Sequence, residues 1–470
     1  MKTTASIFLC LAAIVFNSQA VDYYVATNGS DSASGTSTSE PFATIQKAAD
    51  VVTAGGTVYI RDGTYHEAVV VDNVNGSAGN RVTFKNYNDE KVILDGTESL
   101  SDIGGSWTPH SGNIYKTTLS KDIWQLFING RMQVTARWPN ANTNPTDPLQ
   151  TKPGSSEAVD GTWWSKETTW ANADMPGTTE YSQTENNPTY HDLAGTGIDF
   201  TGGSIVYSFL SQGGDGNQER LITSHTAGGN ILAHASYSGP GTKKGHSSTD
   251  KFFILEHLDV LDQAEEWYYT PSNNTVYVWG DPTGSEVRGR TIRRAFTLNN
   301  TCSYITIKGL DFFANNFRSD AANFVVEDCT FSFPDASRRL LGEYPAESND
   351  AMTDYGTYIG DGPFAMTNCV YEYAEMGILF GSGATDASSY HNNLFRHISM
   401  LGLGKNGALQ QVNSFTRNTF HTAGNREVLK SKANPAATRK QKYNHIHNWG
   451  YLQVHDGAAF QVSPPAHCGD

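Results

Sequence analysis

Gly309-Leu-Asp-Phe312, Asp328-Cys-Thr-Phe331, Asn368-Cys-Val-Tyr371, Asn392-Asn-Leu-Phe395, Arg417-Asn-Thr-Phe420 and Tyr443-Asn-His-Ile446 repeat one short pattern along the last third of the chain. Their final residues lie 19, 40, 24, 25 and 26 residues apart. The second position of each segment reads Leu310, Cys329, Cys369, Asn393, Asn418, Asn444. Asn side chains stacked at one corner of successive coils can hydrogen-bond one another, which satisfies amides that would otherwise be buried unpaired. Cys is small and apolar enough to share the slot. A period near 25 residues with several short strands per turn is the signature of a parallel β-solenoid, because a sandwich would not hold that register. The 40-residue step holds either one turn with an insertion around 338–361 or two turns.

Working outward, a short strand follows each corner, as in Gly377-Ile-Leu-Phe, Gly407-Ala-Leu-Gln, Glu427-Val-Leu and Tyr451-Leu-Gln-Val. The amino-terminal part has the same texture. Val21–Ala26, Val58-Tyr-Ile, Ala68–Val71, Val82-Thr-Phe and Val92-Ile-Leu read as strands between turns. Ile45, Ala48, Ala49 and Val52 fall on one helical face, which predicts a short amphipathic helix covering an open sheet end. Eight of the nine Trp lie between Trp107 and Trp279, and Glu266–Trp279 reads as a hairpin around a Pro/Asn turn. The expected division is a signal peptide over 1–20, an N-terminal cap and first coils over 21–100, a β-rich Trp-containing insertion over 101–290, and coils over 291–470. The last coil stops one strand past its corner and is expected to be incomplete.

Charge narrows the partners. The chain has 33 basic and 48 acidic residues, a net charge of −15. Such a surface repels phosphate backbones, which argues against nucleic acid. Ile7–Phe16 is an apolar run too short to span a membrane and, with Lys2 before it and Ser18 and Ala20 after it, reads as a secretory signal. No other long apolar run follows, so the protein is expected to be secreted, with no membrane insertion. Cys302, Cys329, Cys369 and Cys468 are too few for a disulfide scaffold.

The whole pattern resembles the right-handed parallel β-helix proteins of the pectate-lyase-like superfamily. The openings Tyr23-Tyr-Val-Ala-Thr-Asn-Gly-Ser-Asp, Pro41-Phe-Ala-Thr-Ile-Gln-Lys-Ala and Gly56-Thr-Val-Tyr-Ile-Arg-Asp-Gly-Thr-Tyr-His-Glu look like their N-terminal cap and first coil. Leu126-Phe-Ile-Asn-Gly-Arg-Met-Gln-Val-Thr-Ala-Arg-Trp-Pro-Asn looks like a piece of secreted carbohydrate-active members. The resemblance implies an all-β, right-handed parallel β-helix with a short capping helix and a β-rich insertion. Its reaction is less defined, because one fold hosts lyases, hydrolases, epimerases and adhesins.

Seven of the 14 His fall in 391–470, among Lys430, Lys432, Arg439, Lys440 and Lys442. Gly424-Asn-Arg-Glu-Val-Leu-Lys-Ser-Lys-Ala433 resembles a stretch of the β-helix alginate and chondroitin lyases. That match implies Glu427 as an acidic calcium ligand and Lys432 as the base. Asn425 stands at the first acidic position, and His455-Asp456-Gly457 stands where the family carries an arginine. A β-eliminating lyase needs a cation to neutralise the uronate carboxylate, a base for the C5 proton and an acid for the leaving oxygen. Lys432, His455 and a metal near Glu427 supply that set, with Lys430 and Arg426 as substrate contacts. Glycoside hydrolysis instead needs two flanking carboxylates, for which Glu427 and Asp456, about one coil apart, are the candidates. Trp138 and Trp163 are candidates for stacking on sugar, or for the core of the insertion. His445 and His447 share one strand face with His421 one coil earlier, but no HExxH or paired CxxC points to zinc. The expected partner is a polysaccharide. A lyase acting on a uronate-containing glycan stands first, a glycoside hydrolase second, and a non-catalytic binding or adhesin-type solenoid third.

Overall fold

A computed structural model describes residues 20–140, 171–172, 180–182, 193–208, 217–234, 251–335, 356–360, 362–374, 377–380, 388–398, 409–410, 412–423, 427–431, 440–449 and 458–462. The chain coils through three stacks of parallel strands, as the repeat implied. The first sheet has nine strands in coil order, from Tyr23–Val25, Thr57–Ile60 and Val82–Asn86 to Val412–Thr416 and Lys440–Lys442. The second has eight, from Gly63–Tyr65 and Val92–Asp95 through Asp311–Phe313 to His445–Trp449. The third runs through Val69–Val71, Arg294–Leu298, Asn316–Ser319, Tyr358–Ile359 and Leu379–Phe380. A bridge from Ile378 to Leu409 joins it to Leu409–Gln410, Glu427–Ser431 and Ala458–Val462. Thr330 pairs with Val370 and Phe324 with Phe364, so the 40-residue step is one coil with an insertion.

Each repeated corner joins the first sheet to the second. The residue before the slot has left-handed backbone at Asp328, Asn368, Asn392, Arg417 and Tyr443, with φ from 53 to 59°. In the earliest of these corners the position is Gly309 (φ +67°), where an added Cβ would lie 2.4 Å from the Asn86 amide oxygen. The slot residues point inward and form the ladder. The backbone N–H of Cys369 donates to Asn393 Oδ1 (2.8 Å), that of Asn393 to Asn418 Oδ1 (2.9 Å), and that of Asn418 to Asn444 Oδ1 (2.9 Å). The final residues of the pattern form the core column: Phe312 and Phe331 stack at 4.4 Å, followed by Tyr371, Phe395 and Phe420. Cys302, Cys329 and Cys369 are buried free thiols.

The capping helix is shorter than its apolar stripe. α1 spans Ile45–Ala49, buries Ile45, Ala48 and Ala49 against the first coils, and stops before Val52, which is buried in the following turn. Thr44 caps it by accepting from Lys47 N–H at 3.1 Å, and Glu67 from the next coil accepts from Ile45 and Gln46 N–H at 3.0 and 3.1 Å. A long excursion replaces one turn from the second sheet to the third. It leaves after Asp95 and returns at Arg294, so it is slightly wider than 101–290. Thr97–Ser99 already pairs antiparallel with Val287–Arg290. Within it, α2 (Leu100–Ile103) and antiparallel strands enclose separate apolar clusters, and Glu266–Thr270 pairs with Thr275–Trp279 as the expected hairpin.

Candidate functional site

The segment singled out for chemistry lies on the third sheet. Glu427–Ser431 is a strand between Leu409–Gln410 and Ala458–Val462. Leu429 is in register with Leu409, which is buried, and with Phe460. Lys430 stands between Gln410 and Gln461. Glu427 stands beside Ala458. The fold therefore places Glu427 and Lys430 on one strand. Arg426, Lys432, His455, Asp456 and Trp163 lie outside the described residues.

Register extends this column back through the solenoid. Val70, Thr297, Arg318, Tyr358 and Leu379 are successive neighbours, and the Ile378–Leu409 bridge carries the row on to Gln410 and Lys430. The Arg318 guanidinium lies over the Tyr358 ring at 4.6 Å and donates from Nε to Asp320 at 2.8 Å. Beside it opens a cleft of about 680 Å³ lined by Asp72, Thr301, Arg318, Asp320 and Gly360. Hydrogen bonds from the Thr301 and Asn299 side chains hold the Asp72 carboxyl below its usual range. Arg318 and Tyr358 carry no motif, and only the coil register reveals that they share a column with Lys430.

A second polar row crosses the second sheet. Phe313, Ser332, Glu372, Arg396, His421 and His447 are in register from coil to coil. Ser332 Oγ donates to Glu372 at 2.9 Å, and Arg396 Nε donates to the other Glu372 oxygen at 2.6 Å. His421 and His447 are thus neighbours on adjacent coils, as their spacing suggested. Among the described residues no three His, Cys, Asp or Glu side chains come together as a metal-binding group. Trp138 is half-buried in the insertion, its ring 6.0 Å from Phe200 and 6.1 Å from Phe252. It packs with the insertion's own cluster, the core role weighed for it above.

Residues 23–156 match the family model of the Pel9A-like, right handed beta helix region. Over that region the chain matches a Pel9A-like right-handed β-helix, and its stacked parallel strands form a β-helix. A pectate lyase, PEL9 of Emericella nidulans, is 33% identical over 141 residues, which are 28% of this chain and 33% of that protein. The uncharacterized protein YwoF of Bacillus subtilis is 46% identical over 76 residues, 16% of each chain. The chain thus spans a third or less of the length of these curated relatives. A solved glycoside hydrolase covers 94% of this chain and 99% of its own, at 13% identity and a TM-score of 0.48. A complex of XylC with xylose covers 91% and 62% of the two chains, at 15% identity and the same TM-score. Both are too distant to bear on chemistry. Among the described residues no helix is long and apolar enough to cross a membrane.

Proposed function

We propose that this β-helix is a secreted polysaccharide lyase that cleaves a uronate-containing glycan by β-elimination on the third sheet. The observation that carries the reading is the 33% identity to a pectate lyase on a chain with a Pel9A-like region.

In this reading Lys432 takes the C5 proton of the uronate. The electron pair left behind forms the C4–C5 double bond, the C4–O4 bond breaks, and His455 gives a proton to the departing oxygen. Lys432 must be neutral to act, and Lys430 two residues away disfavours a second positive charge beside it. Lys430 and Arg426 hold substrate carboxylates. Glu427 would help hold a calcium ion, whose charge would neutralise the carboxylate next to the acidic C–H. Asp456, about one coil further along the sequence, is the partner Glu427 would need for hydrolysis instead.

The test incubates the protein with polygalacturonate, alginate, xylan and mannan, with and without calcium, following near-ultraviolet absorbance and reducing ends together. A calcium-dependent rise in both on a uronate polymer is the expected result, because elimination leaves an absorbing double bond. Lys432→Ala should lower that rate by at least about a hundredfold with an unchanged melting temperature. Reducing ends without absorbance would overturn elimination and shift the assignment to Glu427 and Asp456. Silence in both signals with measurable polymer binding would leave a non-catalytic solenoid.

A further inference from the structure

We infer a second saccharide-binding site, on the outer face of the second sheet near the start of the solenoid, that takes neutral, hydroxyl-rich sugar residues. It does not depend on the lyase reading. The site is a groove of about 580 Å³ where the coils meet the excursion strand Val287–Arg290. Junctions between structural units are where concave ligand sites tend to form.

Two rows of side chains make its floor. One is Thr64, Ile93, Asp311 and Thr330, in register across successive coils. The other includes Asp95, Phe313 and Ser332, with His66 at its edge. Asp311 and Phe313 flank the buried Phe312 on the same strand, so they share the outer face about 6.6 Å apart. That spacing suits one pyranose, its apolar face on the Phe313 ring and its hydroxyls at the Asp311 carboxylate. Phe313 is held in place by Phe127 (5.0 Å) and Phe333 (5.8 Å) behind it.

Charge decides the class of sugar. Asp95 is fully engaged: its carboxylate accepts from Thr97 N–H (2.8 Å), the Thr97 hydroxyl (2.7 Å) and Arg288 (2.9 Å). Arg288 also donates to the Thr97 hydroxyl (2.8 Å) and carbonyl (3.1 Å), and lies 3.8 Å from Glu286. The one guanidinium lining the groove is thereby committed. Among the described residues the Asp311 carboxylate has no side-chain hydrogen bond or ion pair, and Lys91 is the other Lys or Arg lining the groove. The lining carboxylates Asp95, Glu286 and Asp311 outnumber the two fixed cations, which disfavours a uronate. An acceptor-only carboxylate beside the Thr330 hydroxyl, with the Thr64 hydroxyl two strands away across Ile93, suits the hydroxyls of one sugar residue and its neighbour. His66 Nδ1 donates to the Asp95 carbonyl at 3.1 Å and lies 4.0 Å from the Asp95 carboxylate, which orients the ring at the groove edge.

Calorimetric titration of the full chain with xylohexaose, mannohexaose, galactohexaose and tetragalacturonate tests the site. At least one neutral hexaose should bind with Kd near or below about 1 mM. Asp311→Ala should weaken that binding about tenfold, with melting temperature and any cleavage of uronate polymer unchanged. Thr64→Ala, at an exposed position, should weaken it severalfold and serves if Asp311→Ala does not fold. The inference is overturned if no neutral hexaose binds, or if binding is indifferent to both variants. It is equally overturned if tetragalacturonate alone binds and Lys91→Ala removes that binding. A lyase that fails here still cleaves, and a chain that binds here without cleaving leaves this site standing.

Discussion

At Asn418 one carboxamide serves two coils. Its Oδ1 accepts from the backbone and side-chain N–H groups of Asn393, both at 2.9 Å, and its Nδ2 donates to the Tyr390 and Thr416 carbonyls at 3.0 and 3.1 Å. Asn418→Ala would orphan a buried N–H and a buried carbonyl, each costing about 1–3 kcal/mol. The expected loss is about 2–4 kcal/mol, read from urea unfolding. Glu266 tests a different residue-scale force. It is almost fully buried in the excursion, and burial pushes its carboxyl well above the ordinary carboxylate range, only partly offset by Arg137. Below the ordinary value near pH 4.3 both folded and unfolded chains hold the proton. Above it the unfolded chain ionises first, so folding loses stability as pH rises through the raised value. The urea midpoint should fall more steeply as pH rises above the ordinary carboxylate range for the natural protein than for Glu266→Gln. Equal slopes would mean the carboxyl is ionised in the fold.

Between elements, aromatic stacking ties the excursion to the coils. Phe127 from the excursion packs on Phe313 and Phe333 of the coils, and the column continues through Tyr373 (4.9 Å) to His397 (5.1 Å, interplanar 6°). Phe127→Ala should cost about 3–5 kcal/mol. It should also split the calorimetric melt into two transitions, whereas Asn418→Ala should lower one cooperative transition. The coils were legible because their forces repeat: the Asn slot and the aromatic core column recur at a near-constant step, and periodicity survives in a one-dimensional string. The hairpin at 266–279 was legible because its turn is local. α1 came out shorter than its stripe because Val52 joins the core from a turn. The polar row on the second sheet has a sequence signal beyond its His pair: Phe313, Ser332, Glu372, Arg396, His421 and His447 each immediately follow the last residue of a repeat. The groove had none, since Thr64, Asp95, Arg288 and Asp311 meet only through coil register and the return of the excursion. Trp138 illustrates a limit of composition, because an aromatic suited to sugar is equally suited to packing.

For the whole molecule, a net charge of −15 sets the terms on which a uronate polymer could be met. Like charges repel over roughly a Debye length, about 8 Å at physiological salt. The proposed lyase face would therefore depend on the local cations of 426–432 and on calcium, while the groove around Asp311 would meet neutral sugars without that repulsion. The two faces would grip chemically different stretches of one mixed polysaccharide.

The excursion also bears on how the solenoid is made. Val69–Val71, Val82–Asn86 and Val92–Asp95 find their next strands in Arg294–Leu298, Ile305–Lys308 and Asp311–Phe313. An uninterrupted β-helix can be copied coil upon coil as it leaves the ribosome. Here the first coils emerge and then wait while roughly 200 residues are synthesised, about 10–40 s at ordinary elongation rates. Throughout that wait their strand edges are open templates for any passing chain. The antiparallel clasp of Thr97–Ser99 with Val287–Arg290 ends the delay, because it turns a long excursion into a short one and delivers Arg294 to the waiting edge. The longest exposure of open strand edges during synthesis is thus set by the position of the unit inserted between Asp95 and Arg294.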